Sequence, residues 1–438
     1  MRRREIHTIK FLPHPKASSQ IFGLLTGSED GTIICHLHTV SQVGHASRQS
    51  IEVGTHIGGT AVRSLYLFPE LAGGGLGISA HKDCSYILLS AGAKEVVMAW
   101  RVKWIQKTEF NSSDEQPWEI RTTLLAAAGR TEKNDVYKTL KTEQKFNVGS
   151  KTSDVRCMAV VGFVPIQPSE KIVSSNYCVG CYVTLTAMSE GSLKVTILDT
   201  ARQSVDACGS ILPVAELRYH IRPIISLAAI AVPLDTHGTS NAVLVCSGAT
   251  DGEIAIWDLT ELSAMISGTN TCGFGKDIGN KSPVSSIAAS HRSGVNSVAM
   301  ARVPSGSPGR FIISSGGDDQ SLLVSLLSVA RCLTSQKQKP FSVSVALLRT
   351  VITDFAHGSS IKGVWMNRNG VVATTSHDQR LRMWTVCESG SSDFSIASLA
   401  GSFVDCPEPE ALDACPIFCD ESMLRVAISG RGLQIFHF

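Results

Sequence analysis

The chain has 438 residues, 43% of them apolar and 18% charged, with a formal net charge of +2. Enough apolar surface is present to build a core, which excludes a chain disordered throughout. The near-zero charge excludes a generally polybasic protein, although a net value averages over faces and leaves room for a local basic patch. Met1-Arg-Arg-Arg-Glu-Ile-His7 has no apolar run behind its positive charge, so no signal peptide is read there. No stretch of about 20 apolar residues could span a membrane. The 13 cysteines are odd in number and without framework spacing; Cys157, Cys246 and Cys415 sit in apolar strand-like runs. They read as reduced, buried thiols of a cytosolic or nuclear protein, and a cytoplasmic location is expected.

Taken in order, the chain repeats one pattern of short strands and tight turns. The first unit has strands at Ile6–Phe11 and Ile21–Thr26, the turn Gly27-Ser-Glu-Asp30, and a strand at Thr32–Leu37 that carries His36. The second has His56, a strand Ala61–Tyr66, a glycine-rich insertion Gly73–Gly77, a strand Tyr86–Ser90, Lys94 in the turn, and a strand ending at Trp100. The third runs through Asp154–Val160, Cys181–Ala187, the turn at Ser189 and Leu193–Leu198. The fourth is the fullest, with His220, Ile224, Leu227, Asp251, Ile254, Trp257 and Asp258. The fifth has His291, Val295, Val298, Asp319 and Ser325 at the aromatic position. The sixth has His357, Ile361, Val364, Asp378, Leu381 and Trp384. The seventh is worn, with strands Ala411–Ile417, Leu424–Ser429 and Leu433–Phe438 and with Phe436 at the aromatic position.

This spacing resembles the WD repeat, in which an Asp in the turn precedes an apolar residue by three and an aromatic by six. Seven copies predict an all-β, seven-bladed WD40 β-propeller. The blades fall at approximately 5–50, 56–125, 152–215, 220–265, 291–350, 357–400 and 405–438, with a mobile insertion at 126–151. In each blade a His, a Ser or Thr, the Asp and the Trp would form a hydrogen-bonded chain pinning the inner strands, tolerable in a core only if every member has a partner. The residues assigned to these structural tetrads are His220, Asp251 and Trp257; His291 and Asp319; and His357, Asp378 and Trp384. The outer strand that should close the seventh blade is not evident, and an unpaired edge there would be a liability. The expectation is therefore a C-terminal portion of a longer multi-propeller protein, or a chain shortened at its N-terminus.

The segments His291-Arg-Ser-Gly-Val-Asn-Ser-Val298, Ser314-Ser-Gly-Gly-Asp-Asp-Gln-Ser-Leu322 and Ser376-His-Asp-Gln-Arg-Leu-Arg-Met-Trp384, with Gly27-Ser-Glu-Asp-Gly31, resemble the last propeller of the WD repeat-containing protein six family. The close match covers roughly residues 291–385; elsewhere it is at the level of the repeat pattern. The resemblance implies a non-catalytic scaffold subunit that partners an FtsJ-type methyltransferase. The partner would use S-adenosylmethionine to methylate the ribose 2′-hydroxyl of tRNA nucleotide 34, and the propeller would help position tRNA. The chain itself would need no cofactor. A protein-interaction hub or ubiquitin-ligase substrate receptor is the alternative.

The other candidate chemistry is thin. Cys178-Val-Gly-Cys181 lacks the second cysteine pair a zinc site needs, Cys415 and Cys419 are a poor substitute, and no βαβ context supports a redox role. Gly73–Gly77 lacks the Lys-Ser/Thr and helix start of a phosphate loop. No nucleophile–base constellation stands out, so no catalytic residue and no metal ligand are assigned. Basic residues are scattered: Arg2–Arg4, Arg63, Lys82, Arg101, Lys103, Arg310 and Arg382, with Arg292, Lys362, Arg368 and Arg380 singled out for tRNA or partner binding. If they converge on one face, contacts to phosphates would be salt-dependent and indifferent to base. Arg292 and Arg380 are expected on opposite rims. Trp365, inside an inner strand, is expected in the core.

Overall fold

The computed structural model describes residues 5–15, 21–40, 46–70, 84–107, 118–128, 155–163, 180–200, 210–237, 240–263, 281–287, 290–332, 342–388, 394–417 and 420–438. Arg2–Arg4, Gly73–Gly77, Lys82, Cys178, Cys419 and the insertion beyond Ala128 lie outside the described residues.

Short runs of apolar and β-branched residues between turn signals give 27 strands among the described residues, and they form seven antiparallel sheets. The first comprises β1 (Ile6–Leu12), β2 (Ile21–Ser28), β3 (Thr32–Val40) and β4 (Ala46–Thr55). The second comprises β5 (Val62–Pro69), β6 (Cys84–Gly92), β7 (Val97–Gln106) and β8 (Trp118–Ala128). The third comprises β9 (Cys157–Phe163), β10 (Cys181–Met188), β11 (Ser192–Asp199) and β12 (Ser210–Arg218). The fourth comprises β13 (Ile224–Pro233), β14 (Asn241–Ala249), β15 (Ile254–Asp258) and β16 (Ser285–Ile287). The fifth comprises β17 (Val295–Arg302), β18 (Arg310–Gly317), β19 (Leu322–Arg331) and β20 (Val343–Thr353). The sixth comprises β21 (Ile361–Met366), β22 (Val371–Ser376), β23 (Arg380–Glu388) and β24 (Phe394–Phe403), and the seventh β25 (Ala411–Ile417), β26 (Asp420–Ser429) and β27 (Leu433–His437). Strand order follows chain order in every sheet, the meander of a propeller blade. The chain is a seven-bladed WD40 β-propeller, and its seventh sheet has three strands among the described residues.

Blade boundaries move where outer strands were not legible. The first blade runs to Thr55 rather than 50. The second reaches Ala128, so residues 126–128 belong to a strand, not to the insertion. The fourth blade does not end at 265: its outer strand lies at Ser285–Ile287. That strand is only three residues long, too short to show a period in sequence.

The core sits between blades. Leu185, Val195 and Ile197 of the third blade pack against Val243, Val245 and Trp257 of the fourth, all within 2% of complete burial. Middle strands are therefore apolar on both faces, and β2, β10 and β11 are buried at every position. At the ring junction, Ile9, Phe11, Phe22 and Leu24 pack on Ala427. Polar contacts reinforce it: Lys10 Nζ is 3.0 Å from Asp413 Oδ1, the Phe11 amide donates to Asp413 Oδ2 at 2.8 Å, and the Ile6 amide donates to the Gly430 carbonyl at 2.9 Å. The Arg425 guanidinium lies over the Phe22 ring at 4.1 Å.

Candidate interaction site

Consecutive strands run in opposite directions, so the outer-to-inner connections and the second-to-third-strand turns share one end of the propeller, here the top. The tetrads link these two kinds of loop. In the fourth blade, His220 Nε2 is 3.0 Å from Ser247 Oγ, which also accepts from Trp257 Nε1 at 2.9 Å, while His220 Nδ1 lies 3.4 Å from Asp251 Oδ2. In the fifth, His291 Nδ1 is 2.9 Å from Asp319 Oδ1 and Nε2 is 2.9 Å from Ser315 Oγ; at the aromatic position Ser325 bonds Thr350 Oγ1 instead, at 2.9 Å. In the sixth, His357 Nδ1 is 3.0 Å from Asp378 Oδ2, Nε2 is 2.8 Å from Thr374 Oγ1, and Trp384 Nε1 donates to the same hydroxyl at 2.9 Å. The three imidazoles are 0% exposed. Gly252, following Asp251, has φ +84, and a Cβ there would run into the His291 carbonyl.

The second blade shows what the aspartate does. His56 Nε2 is 2.8 Å from Ser90 Oγ and Trp100 Nε1 donates to that hydroxyl at 3.2 Å, but Lys94 occupies the Asp position and His56 Nδ1 has no partner. Burial alone then pushes His56 down to about 4. His220 and His357 are also lowered by burial, but Asp251 and Asp378 work against the shift. These histidines are sealed beneath the loops, hydrogen-bonded as parts of the fold.

The four basic residues assigned to binding do not share one surface. Arg292, in the β16–β17 connection, and Arg380, at the end of the β22–β23 turn, are both on top rather than on opposite rims, their amides bonded to Asp319 Oδ2 (2.9 Å) and Asp378 Oδ1 (3.0 Å). Lys362 lies near the top of β21 in the channel lining, 3.3 Å from Asp318 Oδ1. Arg368, in the β21–β22 turn, is on the bottom face. The remaining cations divide likewise. Arg63 and Arg382 lie toward the top, whereas Lys103 and Arg310 lie toward the bottom, and Arg101 is held by Glu70 at 2.6 Å. Trp365 is half-buried rather than fully core: it packs against the cluster formed by Ala373, Leu412 and Ala414 and also lines the channel.

Large apolar side chains also gather on top. Ile221 beside His220 is 85% exposed, Phe355 two residues before His357 is 76% exposed, and Phe403 at the end of β24 is 70% exposed with the Arg380 guanidinium 4.7 Å over its ring. Phe355 has φ +52, a conformation bulky residues rarely adopt. The sequence signal for two of them was available: an apolar residue within two positions of a tetrad histidine, in a loop that should be polar.

The top face is thus mixed, basic and apolar. In sequence, the chain is 26% identical over 261 residues to the tRNA (34-2'-O)-methyltransferase regulator WDR6 of Mus musculus, and 25% identical over 262 residues to that of Homo sapiens. The chain is similar to part of WDR6. The match takes in 58% of this chain and 21% of the mouse protein, so the chain spans about a fifth of the length of its curated relatives. No protein-family profile matches the chain. Among solved structures, Chaetomium thermophilum Sqt1 bound to the N-terminus of ribosomal protein L10 aligns at a TM-score of 0.47 and 14% identity, over 97% of this chain and 83% of that one. The WD40 propeller domain of Doa1 aligns at 0.45 and 12% identity, over 99% and 93%.

Proposed function

We propose that this propeller is a non-catalytic scaffold subunit that partners an FtsJ-type methyltransferase and helps position tRNA for 2′-O-ribose methylation at nucleotide 34. The observation that carries this reading is the similarity to WDR6, a protein named for regulating that class of enzyme. The tetrads are in keeping with a structural role: each sealed His–Asp pair is committed to holding the strands of its own blade. S-adenosylmethionine would be bound by the partner, and the assembly would work in the cytoplasm. Arg292 and Arg380, with Phe403 beside Arg380 and Phe355 on the same face, are the surface on which we would place a partner or the tRNA backbone.

Two measurements test it. Affinity capture of the tagged protein should recover a methyltransferase, and deletion of the gene should remove 2′-O-methylation at nucleotide 34. Unchanged modification, or capture of a cullin adaptor instead, refutes the reading.

A further inference from the structure

A cavity of about 500 Å³ runs along the propeller axis and is lined by the inner strands of all seven blades. Its top mouth is shaped by a recurrent irregularity. In six inner strands one residue near the top is skipped in the pairing with the next strand: His7, Arg63, Met158, Ile225, Asn296 and Lys362. Such bulges re-aim side chains, and all six residues line the channel.

The mouth therefore has two halves. Blades six, seven, one and two contribute Lys362, Glu410, His7 and Arg63; blades three to five contribute Met158, Ile225 and Asn296. Most of the polar groups are already paired. Asp318 takes Lys362 at 3.3 Å and Asn296 Nδ2 at 2.6 Å, and Glu410 takes His377 Nε2 at 3.1 Å. Two neighbours are not. The His7 side chain is 9% exposed with Nε2 unpartnered, its nearest carboxylate being Glu5, 3.9 Å from Nδ1. Arg63 is half-buried, and no carboxylate among the described residues forms an ion pair with it. A buried polar atom and a guanidinium left this way cost free energy that a ligand can recover.

We infer that the top mouth of the channel binds a side-chain carboxylate from an acidic segment of a partner protein, held by the Arg63 guanidinium and the His7 Nε2–H, with the segment's apolar residues against Met158 and Ile225. A guanidinium matches a carboxylate's two oxygens, and an imidazole N–H can donate to one of them. Charge decides against a nucleic acid backbone here. Burial and Arg63 keep the imidazole from charging, Lys362 is paired with Asp318, and Glu5, Glu29 and Glu410 repel any anion near His7, a single carboxylate less than a run of phosphates. Among the described residues one unpaired cation stands at the mouth, too few for successive phosphates, and Met158 and Ile225 add apolar surface.

The test uses the full chain labelled with ¹⁵N-histidine and three probes: a blocked Leu-Ala-Glu-Ala-Leu peptide, its Gln isostere, and an oligouridylate RNA. The glutamate peptide should shift the His7 Nε2 resonance, assigned with His7→Gln. The Gln peptide, and the glutamate peptide on Arg63→Gln, should bind about tenfold more weakly. Arg63→Lys should retain part of the affinity, and both Arg63 variants should melt with the wild type. Equal binding of the two peptides, wild-type affinity in Arg63→Gln, no His7 shift at millimolar peptide, or a His7 shift produced by the RNA and not the peptide would each overturn the assignment.

Discussion

The fourth and sixth blades hold the same tetrad with different grip, which makes Asp378→Ala and Asp251→Ala a matched pair of perturbations. Asp378 accepts from three donors: His357 Nδ1 at 3.0 Å, the Gly358 amide at 2.8 Å and the Arg380 amide at 3.0 Å. The two amides face solvent and can turn to water, but the imidazole cannot. A charge-assisted bond to a buried donor is worth roughly 1.5–3 kcal/mol, so Asp378→Ala should cost about 3 kcal/mol. Asp251 takes the Glu253 amide at 3.0 Å and meets His220 Nδ1 only at 3.4 Å. Its loss should cost about 1 kcal/mol. A melting curve is a blunt assay for this difference. At about 2.1 cal/mol/K per residue, 438 residues give an unfolding entropy near 0.9 kcal/mol/K, so each kcal/mol moves the midpoint by about 1 °C. Local hydrogen exchange is sharper, because a 2 kcal/mol difference is a factor of about 30 in opening. Amides of β21–β23 should lose about 30-fold more protection in Asp378→Ala than those of β13–β15 lose in Asp251→Ala. Equal losses, or a larger loss in the fourth blade, would refute the view that the imidazole–carboxylate contact sets blade rigidity.

Acidification should weaken the first two blades. His36, His38 and His56 are pushed from 6.5 down to about 4, mainly by burial, so their contribution is intact above about pH 6.5 and is lost as pH falls toward 4. Urea midpoints should fall across that window and fall less in His56→Gln; identical slopes would count against the assignment. Removing Asp413 deprives Lys10 and the buried Phe11 amide of their acceptor across the ring junction. Asp413→Ala should cost about 2–4 kcal/mol, with exchange rising first in β1, β2, β25 and β26, whereas a loss spread evenly over all blades would contradict this. Burial pushes the Cys35 and Cys157 thiols up to about 12, while Cys387 is exposed. Brief alkylation followed by peptide mass mapping should therefore label Cys387 before Cys35 or Cys157, and early labelling of either buried thiol would show that the interblade core opens.

Local pattern was enough for the repeat. His220, Asp251 and Trp257 stand at fixed spacing because one blade must bring an outer-to-inner loop, a turn and a third strand to one hydroxyl, and those constraints lie within about 40 residues of chain. The hydroxyl itself was less legible, since Ser247, Ser315 and Thr374 are unremarkable in serine- and threonine-rich strands. Outer strands such as Ser285–Ile287 were missed because they are short and face solvent, so no period marks them. The sequence by itself determined the seven-fold repeat, the buried histidines, and the absence of an aspartate opposite His56. Only the tertiary structure decided which end of the ring each cation occupies. It set Arg292 and Arg380 on one face and Arg368 on the other, and it brought His7 and Arg63, 56 positions apart in the chain, side by side at the channel mouth. The reason is that facing depends on strand direction and on single-residue bulges. Both are fixed by pairing between strands and leave no mark on the spacing of residues within one.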